Sequence, residues 1–259
     1  MIRQPAVAGL FYPSDPRELA RTVDRLLALA DAEPAPGLRA LVAPHAGYVY
    51  SGPVAAAAFA RAPPTARVAL LGPSHYVPLE GLAVSDAEAW STPLGDVAVA
   101  GELREAALVA GAAVDDRPHA GDHALEVELP FLQRACAEGV EIVPIAVGRA
   151  SPDDVAALIE ALDALIVVST DLSHHHDAVT AQRLDRTTAD AVVGRDASAI
   201  RADAACGIYA LRGLVEHARR ADLEVELLDL RTSADTAGTP ESVVGYGAFA
   251  VREHDRSAL

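Results

Sequence analysis

Lysine is absent: all 21 basic positions are arginine, set against 37 aspartates and glutamates, for a formal net charge of −16. Without lysine there is no P-loop amine for nucleotide phosphates, no Schiff base with pyridoxal phosphate and no kinase-type lysine. The acidic balance also argues against nucleic acid, whose phosphates need a basic face. Cysteine is scarce. Cys136 and Cys206 lie far apart with no CxxC, which removes a disulfide framework and a cysteine-only zinc site, so a metal must be held mainly by other side chains. Aromatic residues make up only 4% of the chain. No apolar run approaches the roughly 20 residues that cross a bilayer. The opening MIRQPAVAGLFYP carries a proline and a polar pair where a secretory signal needs an unbroken apolar stretch. The expected location is therefore the cytoplasm, with neither membrane nor nucleic acid as a partner. The acid-rich, lysine-free composition suits a halophile-like protein kept soluble at high salt; a GC-rich genome favouring arginine and alanine codons explains it equally well.

What is present is a large apolar content, 51% of 259 residues, enough to bury a substantial core. The segment DPRELARTVDRLLALADA opens with Asp15, Pro16 and Glu18 in a capping arrangement and then repeats leucine at helical spacing. Strands are predicted in LRALVAP, RVALLGP, GLAVSD, DVAVA, VEIVPIAVG, DALIVVST, LEVELLDL and SVVGYGAFAVRE. Helices are predicted in GPVAAAAFARA, ELREAALVAG, ALEVELPFLQRACAEG, SPDDVAALIEALDA, HDAVTAQRLDRTTADAVVGR and GIYALRGLVEHARRAD. Continuous apolar strands alternating with helices predict one α/β domain over 1–259, its sheet covered on both faces.

In open sheets of this kind ligands sit beyond the carboxyl ends of the strands. His45 follows LRALVAP, His75 follows RVALLGPS, and Asp171 and His174 follow DALIVVST. Each histidine alone reads as a loop residue bonded to backbone, but three at equivalent topological positions point to one shared crevice. His123, in RPHAGDHALEVELPF, is expected to line it, with His119 beside it in solvent. This segment is no HExxH motif, because no second histidine follows at the helical offset. Glu126 and Glu128 are expected to face solvent and offset a helix dipole, and Cys136 to be a small core residue. His175 and His176 extend a run that could bind metal adventitiously. Tyr48, Tyr50, Tyr76 and Trp90 are candidates to line the crevice or to serve as packing. GYGAFA fits G-x-G-x-x-A but lies in a strand pattern at the chain end, with no helix to follow, and is not a nucleotide fingerprint.

RQPAVAGLFYP, APHAGYVYSG, LLGPSH, WSTPLG, DHALEVELPFL, IVPIAVG, STDLSH, ACG and VVGYGAFA occur in the order and spacing of the Memo family. The chain resembles that family, called AmmeMemoRadiSam system protein B in prokaryotes, over nearly its whole length. The resemblance implies a single three-layer α/β/α domain with a mostly parallel or mixed central sheet, similar to the LigB-type class III extradiol dioxygenases, which are non-haem iron enzymes. It implies a pocket formed by His45, His75, His174 and Cys206, with Asp171 and His123 nearby; of these, His45, His75 and Cys206 are expected to be metal ligands, and His174, Asp171 and His123 to act beside them in proton transfer or in orienting the ligands. It also implies association with AMMECR-type and radical SAM protein partners.

Iron(II) sites for oxygen activation commonly use two imidazoles and a carboxylate on one face. By the same resemblance, Cys206 takes the third position, which is glutamate in the ring-cleaving enzymes. A thiolate is softer, so copper or zinc suits this donor set as well as iron(II). Cys206 also precedes a helix pattern whose dipole is expected to lower its pKa. Asp171, three residues before His174, is expected to orient an imidazole or to cap the following helix. Two functional classes follow: a metal-dependent redox enzyme acting on a small substrate, or a non-catalytic metal-binding or adaptor protein that recognises a peptide or protein partner.

Overall fold

The computed structural model describes residues 1–254, so 255–259 of the expected domain lie outside the described residues. In chain order the strands are β1 (Ile2–Arg3), β2 (Leu38–Ala43), β3 (Arg67–Gly72), β4 (Leu82–Val84), β5 (Ala89–Thr92), β6 (Gly95–Ala98), β7 (Ala113–Val114), β8 (Glu141–Val147), β9 (Leu165–Ser169), β10 (His174–His176), β11 (Glu224–Thr232) and β12 (Val243–Arg252). The helices are α1 (Pro16–Ala30), α2 (Tyr48–Phe59), α3 (Gly101–Val109), α4 (Arg117–Ala120), α5 (Leu129–Ala135), α6 (Pro152–Ala161), α7 (Ala178–Val193) and α8 (Ile208–Arg220). All eight strands expected from the sequence are present, and GYGAFA lies inside β12. Among the described residues no helix is long and apolar enough to cross a membrane.

The nine-stranded main sheet is mixed. Its centre runs β2, β9, β3, β8, all parallel. Antiparallel partners close both sides: β12 on β2, carrying β10 and β11, and β4 on β8, with β7 beyond. Strands β1, β5 and β6 make a separate small sheet.

Side chains alternate across a strand with period two, so each apolar strand feeds two cores. Ala40, Val42, Ala69, Leu71, Ile166 and Val168 pack with residues of α3, α6 and α8 on one face. Leu41, Ala43, Val68, Leu70 and Val167 pack with α1, α2 and α5 on the other. The result is the expected α/β/α sandwich.

Two helices depart from the sequence reading. Helix α2 starts at Tyr48, ahead of the expected Gly52, because the Tyr48 N–H is tied to the Phe11 carbonyl at 2.8 Å. The helix expected over ALEVELPFLQRACAEG is broken into a 3₁₀ turn, Glu126–Glu128, and the short α5. Pro130 lacks the N–H that would continue a helix from the preceding turn, so α5 begins afresh around it.

Because β2, β9 and β3 are parallel, their last residues, Ala43, Ser169 and Gly72, share one edge of the sheet. The loops beyond them carry His45, Asp171 and His75. A cavity of about 1240 Å³ opens beside the opposite ends of these strands, between Arg39, Arg67, Glu160 and His217. It contains none of these loop residues.

Candidate metal centre

Three strand-end elements converge on one point. A ligand atom each from His45, His75 and Cys206 lies within 4.8 Å of the others. His45 leaves β2, His75 leaves β3, and Cys206 arrives from the turn that opens α8. The sulfur approaches His45 Nε2 at 3.3 Å. Metal–nitrogen bonds of about 2.1 Å and a metal–sulfur bond of about 2.3 Å at a tetrahedral angle would separate such donors by about 3.6 Å. The spacing therefore suits two donors on one ion, and the imidazole–imidazole–thiolate set fits a borderline or soft metal.

Gly207 makes the close approach of Cys206 feasible. A Cβ there would lie 2.8 Å from the Thr170 Cβ and 3.0 Å from the Ser169 carbonyl. The Gly207 N–H instead donates to Thr170 Oγ1 at 2.8 Å, and the Asp171 N–H donates to the Cys206 sulfur at 3.2 Å. The isolated ACG motif is thus a stitch between the start of α8 and the end of β9.

Each imidazole is held from behind. His45 Nδ1 meets Ser169 Oγ at 2.8 Å, which turns Nε2 toward Cys206. Burial, reinforced by the neighbouring His75 and His123, holds the His45 pKa well below the ordinary histidine value, so the ring is neutral and ready to ligate. His75 Nδ1 meets Asp122 Oδ1 at 3.0 Å, while Asp122 Oδ2 accepts the His75 backbone N–H at 2.6 Å. Burial would raise the Asp122 pKa, but hydrogen bonds from His75 and the Ala124 N–H outweigh it and pull it down to about 2. An ionised carboxylate behind an imidazole is the arrangement that orients metal-ligating histidines and raises their basicity.

The thiol departs from expectation. Burial, with the Asp171 carboxylate acting in the same direction, pushes the Cys206 pKa up to about 12, although hydrogen bonds from Thr170, Asp171 and Gly207 oppose the shift. The dipole of α8 does not win, because loss of solvent penalises the anion more. Burial likewise pushes Cys136, at the end of α5, up to about 12. Metal binding at Cys206 must therefore release a proton.

The remaining expected site residues lie around this centre. The His123 ring stacks on His75 with centroids 4.7 Å apart and lies 5.4 Å from His45. Its Nδ1 is buried without a hydrogen-bond partner, 3.8 Å from Asp122 Oδ1, and His75, Asp122 and His123 form a second, overlapping group of possible ligands. Phe11 also packs against His123, in a tilted arrangement with ring centroids 4.6 Å apart. Asp171 Oδ1 accepts the His45 backbone N–H at 2.9 Å, so it shapes the His45 loop rather than orienting the His174 ring. Nor does it cap a helix; Asp177 caps α7. Burial raises Asp171 to about 7. His174, at the start of β10, pairs Nδ1 with the Leu172 carbonyl at 2.8 Å and is lowered by partial burial. His175 and His176 are exposed.

Several residues read as peripheral prove to be internal. His119 is buried beneath Trp90 and pairs Nε2 with the Ala83 carbonyl. Glu126 and Glu128 are wholly buried, because the 3₁₀ turn points both inward instead of along a solvent-facing helix. Glu126 accepts from Arg3, the Ala6 and Val7 N–H groups and the Tyr12 hydroxyl. Arg3 also donates to the His119 and Asp122 carbonyls and stacks on Trp90 at 4.2 Å, locking the loop that presents Asp122 and His123. Trp90 and Tyr48 are therefore packing residues rather than crevice lining, the Tyr48 hydroxyl donating to the Val127 carbonyl. Tyr76 remains exposed with its ring 6.3 Å from His123, and Tyr50 is exposed on the first turn of α2.

Comparison with known proteins agrees with this architecture. The model of the Memo-like protein family matches residues 3–250. A MEMO1 family protein of Aquifex aeolicus is 35% identical over 95% of this chain and 97% of its own length. One from Thermotoga maritima is 36% identical over 95% and 98%. Another from the archaeon Methanococcoides burtonii is 33% identical over 97% of this chain and its full length. With the strand-end histidines, the ACG stitch and these whole-length matches together, the chain belongs to the Memo family.

Proposed function

We propose that the protein holds one transition-metal ion, iron(II), between His45, His75 and Cys206 and carries out redox chemistry on a small molecule in the strand-end crevice. The convergence of the three ligand atoms within 4.8 Å is the observation that carries this reading. Bound there, the ion would supply a redox centre with positions open to substrate and oxygen. The chain's own residues prepare that role. Burial keeps His45 neutral, and Asp122 backs His75, so both rings offer Nε2. His123 and His174 each hold a neutral-leaning imidazole beside the ligands, suited to receive or return a proton. Asp171 fixes the loop that aims His45. Phe11 and Tyr76 flank His123 and give a substrate an apolar wall.

Copper(I) and zinc satisfy the same donors, and metal analysis discriminates among the three. In this reading the protein works in the cytoplasm, in functional association with AMMECR-type and radical SAM partners, as the prokaryotic family name suggests. A second reading, a metal-binding adaptor for a peptide or protein, draws on the exposed Leu10, Tyr50 and Tyr76, of which Tyr76 has its ring 6.3 Å from that of His123. Untagged protein purified anaerobically separates them. The enzyme reading expects about one iron per chain, and oxygen uptake with candidate substrates that His75→Ala abolishes. Wild type that retains no more metal than His75→Ala contradicts metal binding. Partner binding that survives loss of all three ligands would favour the adaptor.

A further inference from the structure

The hydroxyl of Ser169, the last residue of β9, lies among three polar atoms. His45 Nδ1 is 2.8 Å away, the Ala124 carbonyl 2.7 Å and Glu128 Oε1 2.8 Å. Ser169, Ala124 and Glu128 are fully buried and His45 nearly so, leaving no room to draw on bulk water. A hydroxyl has one hydrogen to give and two lone pairs to fill. The Ala124 carbonyl can only accept, so the hydrogen goes there. Both lone pairs then need donors. His45 supplies one as Nδ1–H, and Glu128 supplies the other only as a neutral carboxyl. An ionised Glu128 would instead compete with Ala124 for a single hydrogen.

Two further facts agree. Burial drives the Glu128 pKa well above the ordinary carboxyl range. Its second oxygen, Oε2, is buried without a partner, which costs far less on a neutral acid than on a carboxylate.

We propose that Ser169 and neutral Glu128 are a positioning pair for His45, fixing its imidazole as the Nδ1–H tautomer so that Nε2 faces Cys206 at 3.3 Å as the ligating nitrogen. Its consequence for binding rests on His45 being a metal ligand, but the tautomer itself can be observed without metal. The two imidazoles are thereby made unequal. His75 is backed by the carboxylate of Asp122, and His45 by an uncharged hydroxyl–acid pair. A neutral pair also avoids placing another anion beside Asp171 and the Cys206 sulfur in a buried pocket.

The experiment is long-range ¹⁵N–¹H NMR of histidine-labelled, metal-free protein, with the His45 signals assigned by their loss in His45→Gln. A cobalt(II) titration of each variant accompanies it. Wild type should show His45 protonated at Nδ1. Glu128→Gln, whose amide can donate to the same lone pair, should keep that tautomer and bind cobalt within threefold of wild type. Ser169→Ala should mix the tautomers and weaken cobalt binding by about 10–100-fold, the usual cost of removing a group behind a metal ligand. A folded Ser169→Ala with His45 still wholly Nδ1–H would overturn the proposal. So would a Glu128→Gln that loses the tautomer or more than tenfold in affinity, since Glu128 would then act as an anion. If wild type binds no cobalt while the tautomer still follows Ser169, the positioning pair stands and the metal reading falls.

Discussion

Replacing Arg3 with methionine tests whether the N-terminal segment holds the site together. The side chains of Arg3 and Glu126 are 7% and 0% exposed, and their 2.7 Å contact is one of several that the guanidinium makes. Removing one partner of a buried ion pair costs about 3–5 kcal/mol, because the other charge is stranded. Glu126 would keep three donors, the Ala6 and Val7 N–H groups and the Tyr12 hydroxyl, which argues for the lower end of that range. The His119 and Asp122 carbonyls would lose their arginine donors, adding about 1 kcal/mol or more each. The cation–π contact with Trp90 is lost, and the thioether–aromatic contact that methionine can make offsets part of it. The expected sum is about 3–5 kcal/mol by urea unfolding, seen as a lower midpoint at an unchanged slope. Adding Glu126→Gln should restore part of it, because the stranded charge is then removed. A loss below about 1 kcal/mol for Arg3→Met would refute the reasoning, since it would mean that water or another group reaches Glu126.

Three further outcomes are expected. The His119 pKa is lowered by burial from 6.5 to about 4, so the unfolded chain binds its proton first as pH falls, and stability is lost between about pH 6.5 and 4. His119→Gln should flatten that segment of the pH–stability curve by up to about 3 kcal/mol, measured by urea unfolding at each pH; an unchanged slope contradicts the assignment. Asp122→Asn should weaken metal binding by about 10–100-fold, read by competition with a chromophoric chelator. It should also remove stability that wild type holds above about pH 4 and loses as Asp122 is protonated toward pH 2. Gly207→Ala should drive a methyl into Thr170 and Ser169, costing about 1–3 kcal/mol and displacing Cys206, so that metal affinity falls with stability; full affinity in the variant would show that ACG is no stitch.

How much of this was legible in the sequence follows from how far each signal reaches. Apolar runs such as RVALLGP and DALIVVST declare buried parallel strands by themselves, and parallel strands bring their carboxyl ends to one edge. His45, His75 and Asp171 follow those strand ends, where their position in the sequence puts them. The supporting residues were not, because their partners are distant in the chain. Arg3 meets Glu126 across 123 positions, and His75 meets Asp122 across 47. Within ALEVELPF the two glutamates resemble a solvated helix start; only Pro130, which breaks that helix, hinted otherwise. Trp90 and Tyr48 looked available for a ligand but are enclosed once Arg3 and the 3₁₀ turn are in place. The Cys206 thiol differs from its sequence expectation because helix position is visible in the sequence and burial is not.

The central claim is that His45, His75 and Cys206 together hold one ion. Anaerobic titration of untagged protein with cobalt(II), followed by ultraviolet and visible absorption, reads both the count and the sulfur directly. Saturation at one equivalent, with a sulfur-to-cobalt charge-transfer band that disappears in Cys206→Ser and weakens in His45→Gln and His75→Gln, is the expected result. Stoichiometric binding without that band, or a titration unchanged in Cys206→Ser, would contradict the account.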